Sequence, residues 1–194
     1  MNFSRQHMLE VAKIAELIDI SKIEEMIDVL VQVKKSGGRL FILGVGGSAG
    51  NASHAVNDFR KLVGIEAYAP TDNVSEVTAR TNDEGFDTIF TAFLSVSRLS
   101  TNDCLLILSV GGGDVERAIS KNICSAIDFS KSQNARVIGI VGREGGYTHE
   151  HADVCLVIPS VNPIAITPHS EAFQSVVWHL MVSHPKLKTN LTKW

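Results

Sequence analysis

This sequence has no surplus of basic residues: Lys and Arg number 18 against 21 Asp and Glu, for a formal net charge of -3. A protein that binds nucleic acid through phosphate contacts carries a basic patch or stripe, so this balance argues against nucleic acid as a partner. Cysteine is scarce as well. The three present, Cys104, Cys124 and Cys155, are far apart and form no Cys-x-x-Cys. Such spacing supplies neither a disulfide framework nor a thiolate metal knot, and Cys104 and Cys155 stand in apolar runs where a free thiol behaves as a small hydrophobe. A reduced, cytoplasmic setting is the expectation. No run approaches the ~20 apolar residues that span a bilayer, and MNFSRQHMLE at the start lacks the apolar core of a signal peptide, so no membrane partner is expected. Internal repeats, low-complexity tracts and long linkers are also missing. With 194 residues, 44% hydrophobic, the chain reads as one domain: a helical extension over 1–36 and an α/β core over 37–194.

Within 3–36, Phe3, Met8, Val11, Ile14, Leu17 and Ile18, then Ile23, Met26, Ile27, Leu30 and Val33, recur at three-and-four spacing and predict two helices. Asp19-Ile20-Ser21 separates them, Ser21 and Glu24 have the spacing of a capping box, and Ser36-Gly37-Gly38 ends the second. Their apolar faces exceed what one layer over a sheet requires, which leaves a subunit interface or packing on their own domain as destinations. Beyond them, apolar runs at 39–43, 65–69, 104–110, 136–141 and 154–158 alternate with helical segments. Continuous apolar strands spaced by helices predict a five-stranded parallel, doubly wound sheet in a three-layer α/β/α sandwich, with ligands beyond the strands' carboxyl ends. The loops to read are therefore 44–50, 109–114, 142–147 and 159–171.

Residues 39–58 form the most informative stretch: apolar strand, glycine turn, helix. Gly44, Gly46, Gly47 and Gly50 allow positive φ and close approach of a ligand, and Ser48 is placed to cap the helix at an anion-binding N-terminus. Neither the Gly-x-Gly-x-x-Gly dinucleotide signature nor a phosphate loop with its Lys is met, and a plain βα turn explains the glycines equally well. A helix over 49–62 puts His54 and Asp58 four apart on one face. Ser109-Val110-Gly111-Gly112-Gly113-Asp114 forms a second glycine turn, with Asp114 expected to cap a helix beginning at Val115–Ile119. Asn82-Asp83-Glu84-Gly85-Phe86 reads as a polar turn before a helix over 87–96, and Thr167-Pro168-His169-Ser170-Glu171 leads into a helix through Val182.

Gly46-Gly47-Ser48 after an apolar strand, then His54, an acid at 58, Asn82-Asp83 with Gly85-Phe86, and a glycine loop opened by Ser109 resemble the SIS (sugar isomerase) domain. The nearest member family is phosphoheptose isomerase. The resemblance runs over nearly the whole chain. It implies interconversion of sedoheptulose 7-phosphate and glycero-manno-heptose 7-phosphate in a homotetramer built partly through the N-terminal helices. It also implies a substrate site drawn from Gly46, Gly47, Ser48, Asn82, Asp83, Ser109, Gly111, Asp114, Ser170 and Glu171, and a zinc ligand at His54.

Departures from the family pattern bear on the chemistry. Where the family has a catalytic Glu this chain has Asp58, which keeps the carboxylate but draws it back by one methylene. Hydroxyl-bearing residues of the family's second loop are replaced by Val110 and Gly111, and its last serine by Asp114, a like charge for a phosphate unless it turns away as a cap. At the position of the family's catalytic His stands Trp178, with His179 about 100° round the helix. Isomerisation needs a base beside the carbonyl and an acid or metal on the enediol oxygen. Asp58 is the expected base. For the second role the candidates are His54, His169, Glu171 and His179, with zinc on His54, Asp58 and a C-terminal imidazole such as His179. His149, His151 and Asp153 lack a further soft ligand in sequence and read as solvated. The rival is a non-catalytic SIS protein that binds a sugar phosphate or a protein partner.

Overall fold

The computed structural model describes residues 2–191. Helices α1 (Phe3–Leu17) and α2 (Ile20–Lys35) follow the two apolar stripes. Asp19 caps α2, its Oδ1 accepting from the N–H groups of Ser21 and Lys22. The expected Ser21–Glu24 box gives way because Asp19 has the extended backbone of a cap, whereas Ser21 already lies inside the helix. Gly37, at φ +67, turns the chain out of α2. The helices differ in what they cover. α2 buries Ile23, Met26, Ile27, Leu30 and Val33, whereas α1 buries only Glu10 and Ile14 and leaves Phe3 84% and Met8 64% exposed.

Five strands, β1 (Leu40–Leu43), β2 (Ala67–Tyr68), β3 (Cys104–Ser109), β4 (Arg136–Val141) and β5 (Val154–Val157), form one sheet in the order β2-β1-β3-β4-β5, every neighbouring pair parallel. Side chains alternate between two faces, and both are covered. Leu40, Ile42, Leu106 and Ile138 pack with Leu30 of α2, Phe59, and Trp178 of the last helix. Phe41, Leu43, Leu105 and Val137 pack on the opposite side with Phe90, Leu94 and Ile127. This is the expected three-layer sandwich. After β1 the chain runs outward to β2 and returns to lay β3 on the other side of β1, so the order reverses between β1 and β3. A crevice opens there beyond the strands' carboxyl ends.

The remaining helices are α3 (Gly47–Asp58), α4 (Val74–Asp83), α5 (Ile89–Val96), α6 (Lys121–Ser132), α7 (Gly146–His151) and α8 (Ile166–Ser183). Several local expectations are corrected. Ser48 is not a cap: Gly46, at φ +62, takes that position, and Ser48 sits buried in the first turn of α3. α3 is regular only to Asp58, and Phe59–Val63 is a π turn closed by Gly64. Asn82 and Asp83 end α4 instead of forming a free turn. No helix begins at Val115. Ala118 and Ser120 take left-handed φ values of 57 and 49, and Asp114 and Ile119 exchange backbone hydrogen bonds, so 114–119 is a tight loop before α6.

At the amino end of the sheet, Asp103 is 1% exposed. Its carboxylate accepts from the backbone N–H, Nε and Nη2 of Arg39 and from the N–H and hydroxyl of Ser100. Burial pushes its pKa up, but the Arg39 bonds and backbone N–H groups outweigh that and hold it below the usual Asp value. Among the described residues, no helix is long and apolar enough to cross a membrane.

Candidate active site

The two glycine turns stand side by side at the β1–β3 switch point, and a cavity of about 790 Å³ lies between them. Ser48 and Val45 from the first turn, Ser109, Gly111 and Asp114 from the second, and Arg143 and Thr167 from later loops line it. The second turn is locked from below. Ser109 Oγ accepts from the N–H of Gly112, and the carbonyls of Gly112 and Gly113 accept from the N–H groups of Thr148 and Tyr147 in α7. Glycine is required at 112, since φ is +73 and a Cβ would run into the carbonyl of Gly145. On the other wall, the Glu171 carboxylate occupies the space where a Cβ on Gly47 would stand, and Ser170 Oγ fills the corresponding space at Gly142. The start of α8 thus presses both residues against the loops.

Asp114 lines the cavity, but its Oδ1 accepts from the N–H of Arg117 and its Oδ2 lies 3.6 Å from Arg117 Nε. It caps a turn, not a helix, and the Arg117 guanidinium beside it offsets the charge. Arg143, at φ 51, adds a second guanidinium to the lining.

Further along α3 a second feature forms. His54 Nε2 and His179 Nε2 each lie 3.9 Å from Asp58 Oδ2. Trp178 explains how His179 reaches it. The indole turns fully inward against the sheet, stacks on the His179 ring at 3.5 Å and meets the edge of His54 at 4.7 Å, which leaves residue 179 on the α3 side. One ligand atom from each of His54, Asp58 and His179 lies within 4.8 Å of the others. Two imidazoles and a carboxylate at that spacing suit a tetrahedral ion such as zinc with one position open. The buried Trp178 Nε1 and Gln174 Nε2 beside them lack hydrogen-bond partners among the described residues.

Several expected site residues lie elsewhere. His169 is buried against α1, its Nε2 2.8 Å from Glu10 Oε2, and it does not join Asp58. Sequence reasoning missed Glu10, since nothing in an amphipathic helix marks one Glu as inward-facing. Asn82 and Asp83 are exposed at the end of α4, hydrogen-bonded to each other and outside the cavity lining. Arg117 was also missed, because its role depends on the turn at 114–119. His151 stacks on Tyr147 at 3.8 Å, and Asp153 pairs with Arg136 and the N–H of Val137, so His149, His151 and Asp153 form no cluster. Burial pushes the Cys155 thiol up to about 12 and raises Cys104 as well, which leaves both as apolar filling.

A parallel sheet with glycine loops at its switch point defines a doubly wound α/β protein that takes small ligands beyond its strand ends. The SIS domain model matches residues 6–142, and the chain belongs to that family. It is 32% identical to a phosphoheptose isomerase of Rhodospirillum rubrum over 152 residues, which is 76% of this chain and 75% of that protein. It is also 32% identical over 156 residues to the lincomycin biosynthesis protein LmbN of Streptomyces lincolnensis, covering 77% of this chain and 56% of that protein. The solved structure of phosphoheptose isomerase GmhA from Neisseria gonorrhoeae superposes with a TM-score of 0.81 at 25% identity, covering 93% of this chain and 95% of that one.

Proposed function

We propose that this SIS protein is an aldose–ketose isomerase acting on a sugar phosphate, of the phosphoheptose isomerase type or a paralogue with an altered substrate. The observation that carries the reading is the meeting of His54, Asp58 and His179 one face along from the Ser48 turn. From Ser48 to His54 the helix rises about 9 Å, a span that an open-chain sugar phosphate covers. The cavity loops receive the anionic end, through N–H groups at the start of α3 and the Arg117 and Arg143 guanidinia. Asp58 serves as the base that takes the proton beside the carbonyl, and His54 and His179 flank it. Zinc would be held by His54, Asp58 and His179, and when bound supplies a Lewis acid for the carbonyl and enediol oxygen.

Phe3, Met8 and Leu17 on the uncovered side of α1 support assembly into a homo-oligomer, which we take to be a tetramer. The free cysteines are consistent with a reduced, cytoplasmic setting. The test is incubation with sedoheptulose 7-phosphate, following aldose formation with and without zinc. No conversion by the wild type, or conversion unchanged in Asp58→Asn, overturns the reading for this substrate.

A second reading, a SIS protein that binds a ligand without turning it over, is favoured by one observation: the second turn offers Val110, Gly111 and Asp114 where hydroxyls would share a phosphate. Ligand-induced stabilisation without turnover supports this second reading, and turnover of the stabilising ligand overturns it. A sugar phosphate at 100 times its dissociation constant adds about 2.7 kcal/mol whether or not it is converted.

A further inference from the structure

We propose that His7, Glu10 and His169 form a second divalent-metal site, separate from His54, Asp58 and His179, which clasps α1 onto the start of α8. His7 and Glu10 are three apart on one face of α1, and His169 lies in the first turns of α8. One ligand atom from each of the three falls within 4.8 Å of the others.

The carboxylate is held as a metal ligand would be. Glu10 Oε1 accepts from Gln6 Nε2 at 3.0 Å and Asn162 Nδ2 at 2.9 Å, while Oε2 faces the imidazole side, 2.8 Å from His169 Nε2. Amides that fix one oxygen orient the other toward the centre of the cluster. His7 lies over His169 with centroids 4.5 Å apart and planes 25° apart, so ligation requires the half-buried His7 ring to rotate out of this stack and aim a nitrogen at Glu10 Oε2. Among the described residues His7 has ring contacts with Phe3 and His169 and no hydrogen bond, so its ring nitrogens are free to ligate.

Glu10 is 7% and His169 3% exposed, which shields the site, whereas His7 is only partly covered and provides a solvent side for entry and for a water as fourth ligand. His169 Nδ1 is buried and has no hydrogen-bond partner among the described residues. If Nε2 keeps its proton for Glu10, the Nδ1 lone pair is stranded. A metal taking the Nε2 lone pair moves the proton to Nδ1, where the N–H then needs a hydrogen-bond acceptor. Beside His169 is a small cavity of about 10 Å³, also lined by Ser160 and Asn162, near the lower limit for one water. Two neutral imidazoles and one carboxylate suit Zn²⁺, Co²⁺ or Ni²⁺ and disfavour Mg²⁺ and Ca²⁺.

The experiment is Co²⁺ titration of the full chain carrying His54→Ala and His179→Ala, read by visible absorption and by metal content after gel filtration. About one equivalent is expected to remain bound, and adding His7→Ala, at a half-buried position, should remove it without unfolding the chain. Gln6→Ala, on an exposed turn of α1, should weaken Co²⁺ by about 10–100-fold through loss of its hold on Glu10. No bound Co²⁺ in the His54→Ala, His179→Ala protein, or binding indifferent to His7→Ala, overturns the site and leaves a plain buried His169–Glu10 pair.

Discussion

Two regions of the molecule solve opposite problems. Below the sheet's amino end, Asp103 is buried and five donors from Arg39 and Ser100 occupy its carboxylate. Along the glycine turns and the α3–α8 groove the polar groups are left partly unspent: among the described residues Asp114 has Arg117 beside it, Asp58 faces two imidazoles at 3.9 Å, and Trp178 Nε1 and Gln174 Nε2 have no partner. A buried charge that is fully paired has nothing left to offer a ligand. A region whose donors and acceptors remain free gives up stability and gains recognition.

Substitutions in both regions break or sharpen this contrast. Asp58→Asn should have the largest effect, lowering kcat/KM on a sugar phosphate by about 10²–10⁴-fold with the melting temperature nearly unchanged. A melting temperature that falls along with the rate would move Asp58 to the structural class. Asp103→Ala is expected to do the reverse, costing about 3–5 kcal/mol in denaturant unfolding because the Arg39 guanidinium loses its carboxylate. Sugar-phosphate affinity of the folded fraction should be unaffected.

The Asp103 carboxyl also predicts a pH response. Its pKa in the folded protein lies below the usual 3.8, so the ionised form is favoured by folding. Its contribution is complete above the unfolded value and fades as pH falls through the folded one. Asp103→Asn should therefore flatten the acid limb of a stability–pH curve, measured by urea unfolding from neutrality downward.

Smaller effects belong to the loops and the surface. Ser109→Ala removes the acceptor for the buried N–H of Gly112 and should cost about 1–3 kcal/mol, weakening ligand binding by loosening the second turn. Arg136→Ala breaks an exposed pair with Asp153 at 3.3 Å, and less than about 1 kcal/mol should be lost.

The sheet was legible because its strands are continuous apolar runs, and a run such as Cys104–Ser109 is buried at every position in a parallel sheet covered on both faces. The glycine turns were legible for a related reason: positive φ and close backbone contact leave few alternatives to glycine, as at Gly46 and Gly112. Local caps were read less well. Ser21, Ser48 and Asp114 each have a side chain suited to capping, but a neighbour, Asp19 or Gly46, or the left-handed turn at Ala118, took the boundary.

His179 shows the limit most clearly. Helical periodicity places it 100° from Trp178, and Trp178 stands where the phosphoheptose isomerase pattern has its histidine. Only packing decides that the large apolar indole takes the inward position and that the imidazole beside it faces Asp58. The same holds for His169, which pairs with Glu10 across 159 positions of sequence. Sequence alone determined which residues form strands, where the chain must turn on glycine, and that α3 puts His54 and Asp58 on one face. These are local properties, set by burial pattern and backbone sterics over a few residues. The tertiary structure alone decided which imidazole meets which carboxylate, because that depends on how α1, α3 and α8 pack, and packing is fixed by the whole core at once.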